Sequence, residues 1–242
     1  MSQLYNSCLS LLSKGFLSLQ YRFRIFQSKR YREDTFRFSA PLQLHDLVLA
    51  NATFVFSPSE IFEQNKALES IPGNFTLYPH YYDSNPKTLE LLRLMISQIS
   101  PSVVVETGVA NGASTRTILK AFQDFGLSSS KLFSLDIDPR VATDEFRSKE
   151  NFNFILINET RNFSDAMKKV PTIDIFYHDS DHSYANQMHE YSLAWEKLSS
   201  NGVLISDDIN WSNAFLDFSL KVRKRMFVLN DKTKLCGIIY KN

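Results

Sequence analysis

From residue 103 onward, short apolar runs alternate with amphipathic stretches, and this alternation limits the fold more than any other feature. "SVVVETG", "KLFSLDID", "FNFILIN", "IDIFYHD" and "GVLISDD" are runs of mainly apolar residues closed by polar ones. Strands buried on both faces of a parallel sheet read this way. Between them lie "STRTILKAFQDF", a helical stretch near 140 to 149, "SDAMKKV" and a helix over 183 to 199. In the last of these, Tyr184, Met188, Tyr191, Trp195 and Leu198 recur at spacings of four and three, and Asn201-Gly202 is expected to end it. A helix also precedes the first strand, with Pro86 suited to its first turn and Leu89, Leu92, Met95, Ile96 and Ile99 on one stripe. Strand–helix alternation with short links implies a doubly wound α/β sheet with right-handed crossovers. The C-terminal part breaks the pattern. "RMFVLN", the turn "DKTK" and "LCGIIYK" leave no room for a crossover helix, so they predict an antiparallel hairpin closing a mostly parallel, seven-stranded sheet.

The first 85 residues follow no such rule and read as an N-terminal helical extension and cap, with the α/β domain over 86–242. Leu4, Leu11, Leu12, Leu19 and Phe23 recur at near-helical spacing, followed by the basic residues Arg22, Arg24, Lys29, Arg30, Arg32 and Arg37. Residues 1–40 therefore suit either a helix on an anionic membrane surface or partner, or one packed on the domain or on a second subunit. Residues 41–85 are irregular and rich in aromatics, with Tyr78, His80, Tyr81 and Tyr82 placed to cover a site. The 242 residues, 43% hydrophobic and 22% charged, suffice for one large folded domain and exclude wholesale disorder. A net charge of +1 gives no reason to expect nucleic-acid binding. Cys8 and Cys236 stand far apart and predict neither a disulfide framework nor a cysteine zinc site. With no apolar run of the roughly 18 to 20 residues that span a bilayer, and no basic start resembling a secretory signal, the expected location is cytoplasmic.

The turn after the first strand, "VVVETGVANGAST", is the most informative stretch. Ligands of open α/β sheets bind beyond the carboxyl ends of the strands. Gly108 and Gly112 let the backbone turn sharply and approach a ligand, with Asn111 beside them. Ser114 and Thr115 stand where the next helix starts and are expected to cap it. The spacing differs from the GxGxxG of nicotinamide enzymes and lacks the Gly-Lys-Ser/Thr of a phosphate-cradling loop. Glu106, at the strand end, would repel a pyrophosphate but suits an ammonium group. Asp136, at the end of the second strand, is placed to accept both hydroxyls of a ribose. A ligand with a ribose, a cationic amino-acid end and no phosphate meets these conditions, and S-adenosylmethionine is such a ligand.

With these residues in view, 86–242 resembles the class I S-adenosylmethionine-dependent methyltransferases, terminal hairpin included. "ETGVANGAS" is similar to the glycine-rich motif of that family and "FSLDIDP" to its acidic ribose-binding motif. The resemblance implies that Glu106, Gly108, Asn111, Gly112, Ser114, Asp136 and Asp179 line the cofactor site.

Asp179 and Asp207 close the fourth and fifth strands, with Asp208 adjacent. Neighbouring parallel strands bring these carboxylates side by side, where they raise one another's pKa unless a cation intervenes. A hard divalent ion, magnesium before manganese or calcium, is the expected solution, with Asp179, Asp207 and Asp208 as its ligands. The arrangement resembles catechol and caffeoyl-CoA O-methyltransferases, and "DSDHSY" with "SDD" is closer to the macrocin O-methyltransferase and cephalosporin-hydroxylase-like branch. The catechol enzymes place a basic lysine three residues after the metal-binding aspartate. That position is His182 here, a competent general base for a metal-acidified hydroxyl, or else a helix-start residue bonded to Asp181 or Asp208. Asp181 is a further ligand or the partner that orients His182. His178 belongs to the core, and Asp174 to the far edge of the sheet. Asn210, Trp211 and Asn213 are placed to wall an acceptor pocket, and Thr160 and Arg161 to approach the adenine.

The expected function is thus metal-assisted O-methylation of a hydroxyl on a small molecule, sugar or glycan, with Asp179 and His182 as catalytic residues. Two other classes fit less of the sequence. A metal-dependent hydrolase or hydroxylase leaves the glycine turn and Asp136 unexplained, and a non-catalytic interaction protein would use the basic N-terminal segment.

Overall fold

In the computed structural model, the described residues are 77–79, 82–157, 162–230 and 234–242, with the backbone of Phe36–Phe38. The remainder of the 1–40 segment, His80, Tyr81, Thr160 and Arg161 lie outside them. Eight strands form one sheet: β1 (Phe36–Phe38), β2 (Val103–Thr107), β3 (Lys131–Asp136), β4 (Phe152–Leu156), β5 (Ile173–His178), β6 (Leu198–Ser206), β7 (Met226–Asn230) and β8 (Leu235–Tyr240), in the order β1-β7-β8-β6-β5-β2-β3-β4. The five parallel strands and the hairpin expected from sequence are β2 to β8. The three-residue strand β1 adds an eighth, pairing parallel with β7. Only β8 runs against its neighbours β6 and β7.

Six helices are described: α1 (Pro86–Ile99), α2 (Ala113–Asp124), α3 (Asp144–Arg147), α4 (Phe163–Lys168), α5 (Tyr184–Lys197) and α6 (Ala214–Val222). On one face of the sheet, Leu91, Leu92 and Met95 of α1 and Ile118 and Phe122 of α2 pack against Val104, Leu132, Ile175 and Ile205. On the other, Phe163 of α4, Tyr191 of α5 and Phe215 and Phe218 of α6 pack against Val105, Phe176, Leu204 and Ile239. Each such fully buried side chain contributes about 1.5–3 kcal/mol, which explains why the strands read as continuous apolar runs. The order of strands reverses at β2, which pairs with β3 on one side and β5 on the other. That switch point opens a crevice at the carboxyl ends.

The boundary after α5 differs from the sequence expectation. The helix stops at Lys197 and Leu198 turns extended, with ψ 138, so Asn201 and Gly202 lie inside β6 rather than beyond a helix end. A Cβ on Gly202 would stand 2.9 Å from Leu198 Cδ2 and 3.0 Å from Ser199 O, and the β5–β6 register shifts between Ile173 and Ile175. The glycine therefore serves a close approach within an irregular strand.

Candidate active site

The β2–α2 turn is built by two residues with φ +81, Gly108 and Gly112. A Cβ on Gly108 would lie 2.1 Å from the backbone oxygen of Asp179, so only glycine lets the turn reach the end of β5. A Cβ on Gly112 would meet the Phe146 ring at 2.4 Å. Gly112 is itself the N-cap of α2, without a side-chain cap, which corrects the expectation that Ser114 or Thr115 caps the helix. Their hydroxyls donate instead to Glu106, at 2.8 and 2.6 Å, and Ser134 Oγ adds a third bond at 2.5 Å. Glu106 is fully buried, and burial raises its pKa although the three hydroxyls pull it down. The carboxylate thus ties β2, β3 and α2 together from below the turn, where sequence reasoning had it facing an ammonium group.

Asn111 is also occupied within the chain. Its Oδ1 accepts from Leu77 N (2.8 Å) and Tyr78 N (2.9 Å), and its Nδ2 donates to Tyr78 O (2.8 Å) and Asp83 Oδ2 (3.2 Å). All four hydrogen-bonding positions of the amide fasten the covering segment to the turn. Tyr78 OH donates to Asp138 Oδ2 at 2.7 Å, and the Arg140 guanidinium grips the same carboxylate. Burial and the Asp138 charge push the Tyr78 hydroxyl up to about 12, while Arg140 holds Asp138 well below the usual carboxylate range.

Asp136 stands half-buried at the end of β3. Its Oδ2 accepts from Val109 N at 2.7 Å and its Oδ1 from Asp138 N at 2.8 Å. Each oxygen keeps further acceptor capacity, and the next residue, Ile137, exposes a large apolar side chain (68%). A crevice of about 10 Å³ lies beside the turn, lined by Tyr82, Asp83, Ser84, Gly108, Val109, Ala110, Ala113, Ser114 and Asp179. The crevice brings Asp83 and Asp179 to the glycine turn, and the Asp136 oxygens stand at the tip of the neighbouring strand. Glu106 takes no part in that lining.

Asp179, Asp207 and Asp208 do converge at the tips of β5 and β6. Ser84 Oγ and Tyr177 OH donate to Asp179 Oδ2 at 2.9 and 3.0 Å. His182 Nε2 lies 3.6 Å from Asp179 Oδ1 and 3.9 Å from Asp208 Oδ2, whereas Asp181 accepts from Ser183 at the start of α5. Burial and the neighbouring Asp207 push Asp179 well above the usual range, and burial raises Asp207 to about 6 against the pull of Lys234. Lys234, which sequence reasoning missed, places its ammonium 3.2 Å from Asp207 Oδ2 and 3.3 Å from Asp208 Oδ2. Burial opposes its charge, yet the three aspartates hold its pKa above the ordinary lysine value. The expected divalent cation fits this donor set poorly, because an ammonium already pairs with two of the three carboxylates. Among the described residues, no group of three histidine, cysteine or acidic side chains is arranged to hold a metal.

Behind β5, His178 and Glu190 form a buried group with Thr107, Ser180, Asn186 and Ser206. Asp174 accepts from Ser102 N and Val103 N at the opposite end of the sheet. Asn210 accepts from Leu235 N and so braces the start of β8 rather than an open pocket.

Residues 105–209 match the family model described as Methyltransferase domain (Methyltransf_24). Among solved structures, the chain is similar to an O-methyltransferase from Bacillus cereus in complex with SAH, with TM-score 0.54 and 16% identity over 82% of this chain and 97% of that one. It is similar also to an SAH-bound methyltransferase of Podospora anserina, with TM-score 0.54 and 14% identity over 81% and 95%. At these identities the likeness is one of fold. No curated protein matches the chain.

Proposed function

We propose that this chain, which carries a class I methyltransferase domain, transfers the methyl group of S-adenosylmethionine to a hydroxyl oxygen of a small molecule or glycan. The observation that carries the reading is the meeting, at one switch point, of a turn closed by two glycines, a carboxylate with acceptor capacity and a histidine flanked by aspartates. S-adenosylmethionine supplies an electrophilic methyl on a sulfonium. Asp136 accepts the ribose hydroxyls, Ile137 offers its apolar face to the base, and Asp83 attracts the cationic end, whose charge favours the ionised form of Asp179. The acceptor hydroxyl loses its proton to His182 Nε2, and the carboxylates of Asp179 and Asp208 stabilise the imidazolium that results. The oxygen gains the methyl as the carbon–sulfur bond breaks, a neutral thioether leaves, and one proton is released to solvent. Positioning of the two reactants contributes much of the rate. Both SAH-bound relatives of this fold support the choice of cofactor, and the cysteine usage supports a reducing cytoplasm as the place of action.

Calorimetric titration of the full chain with S-adenosylhomocysteine tests the reading. Saturable binding is expected, weakened about ten- to hundredfold in Asp136→Ala through lost hydrogen bonds and abolished in Gly108→Ala, whose new Cβ would collide with Asp179 O. A chain that binds no S-adenosylhomocysteine, or a Gly108→Ala variant with unchanged affinity, overturns it.

A further inference from the structure

We propose that Lys234 is the resident cation of this site, and that Asp207 and Asp208 hold its ammonium in place of a divalent metal. The inference deepens the methyl-transfer reading and rests on it for the purpose of the site, though not for the position of the charge. The lysine is fixed by the fold. β8 runs antiparallel to β6, with Ser206 opposite Gly237, so the residue preceding β8 is carried to the carboxyl end of the sheet, where Asp207 emerges. Two bonds brace that junction: Ile209 N donates to Leu235 O at 3.0 Å, and Leu235 N donates to Asn210 Oδ1 at 3.2 Å. The Lys234 side chain is only 11% exposed, in contrast to a solvated surface lysine that samples many rotamers.

Two further oxygens of the group are engaged as well. Asp179 Oδ2 accepts from Ser84 and Tyr177, and Thr88 Oγ1 lies 3.5 Å from Asp207 Oδ1. A magnesium or manganese ion needs several oxygens near 2.0–2.2 Å in a near-octahedral set, and it would have to displace an ammonium already bridging two carboxylates. Two like charges in one buried site repel strongly. Lys234 thus offsets part of the aspartate charge and holds Asp207 and Asp208 in place beside His182, acting as a positioning residue.

Manganese binding read by electron paramagnetic resonance on the full chain, with S-adenosylhomocysteine titrated in the same preparations, tests this. The wild type is expected to leave manganese free, and Lys234→Met to bind one ion per chain, with binding lost again on adding Asp207→Asn. Stoichiometric manganese binding by the wild type that Asp207→Asn abolishes overturns the proposal. So does a folded Lys234→Met variant that binds none. If Lys234→Met fails to fold, Lys234→Gln and the wild-type titration decide by the same outcomes. Failure to bind S-adenosylhomocysteine would strike the methyl-transfer reading alone, since the manganese signal is independent of it.

Discussion

Glu190, on the inner face of α5, accepts from Thr107 Oγ1 at 2.7 Å and from Ser180 Oγ and Asn186 Nδ2 at 3.0 Å each. Burial pushes its carboxyl from 4.5 up to about 7 despite those donors. The groups facing it are Thr107 from β2, His178 from β5, Ser180 and Asp181 from the following loop, and Asn186 from its own helix. Because the folded-state pKa is the higher one, Glu190 favours the native state while protonated. That contribution is full below about pH 4.5 and is lost as pH rises toward 7. His178, held neutral by burial, has its pKa shifted down and gives the opposite slope, so the Glu190 effect is isolated as a difference. The stability of the wild type minus that of Glu190→Gln is expected to fall between pH 4.5 and 7 by on the order of 3 kcal/mol, read from urea unfolding at each pH. A flat difference would contradict the raised pKa. At this scale Asp136, Gly108 and the converging aspartates were legible from residue type and position at strand ends. The hydroxyls that enclose Glu106 were not, because Ser134 arrives from a different strand.

The covering segment and the β2–α2 turn behave as one element, joined by Asn111. Asn111→Ala removes four hydrogen bonds and is expected to cost about 1–3 kcal/mol of stability. It should also release the amides of Leu77 and Tyr78, which donate to Oδ1. Hydrogen exchange read by mass spectrometry checks this: protection lost at Leu77–Tyr78 with α2 unchanged supports the clamp, and retained protection there refutes it. The strands and the larger helices could be read from periodicity alone. The end of α5 could not, since Asn201-Gly202 carries a helix-stop signal, but pairing with β5 draws Leu198 into the sheet. Helix α6 carries buried Phe215 and Phe218 and starts after Ser212 and Asn213, residue types that favour a helix start, although sequence reasoning gave Asn213 to a pocket wall.

For the whole molecule, ligand at the switch point is coupled to unfolding because the strand tips exist as a site only in the folded sheet. S-adenosylhomocysteine at about one hundred times its dissociation constant is expected to raise the unfolding free energy by about 2.7 kcal/mol. Denaturant midpoints with and without ligand check this, and coincident midpoints would contradict it. The sequence by itself determined the doubly wound sheet, its closing hairpin, the glycine turn and the acidic residues at the strand tips. Each of these follows from apolar periodicity, backbone sterics or the cost of leaving charge buried, which act over a few neighbouring residues. Only the tertiary structure decided what those charges meet. Lys234 lies far from Asp207 and Asp208 in sequence, and it becomes their counter-ion because an antiparallel last strand begins where its parallel neighbours end.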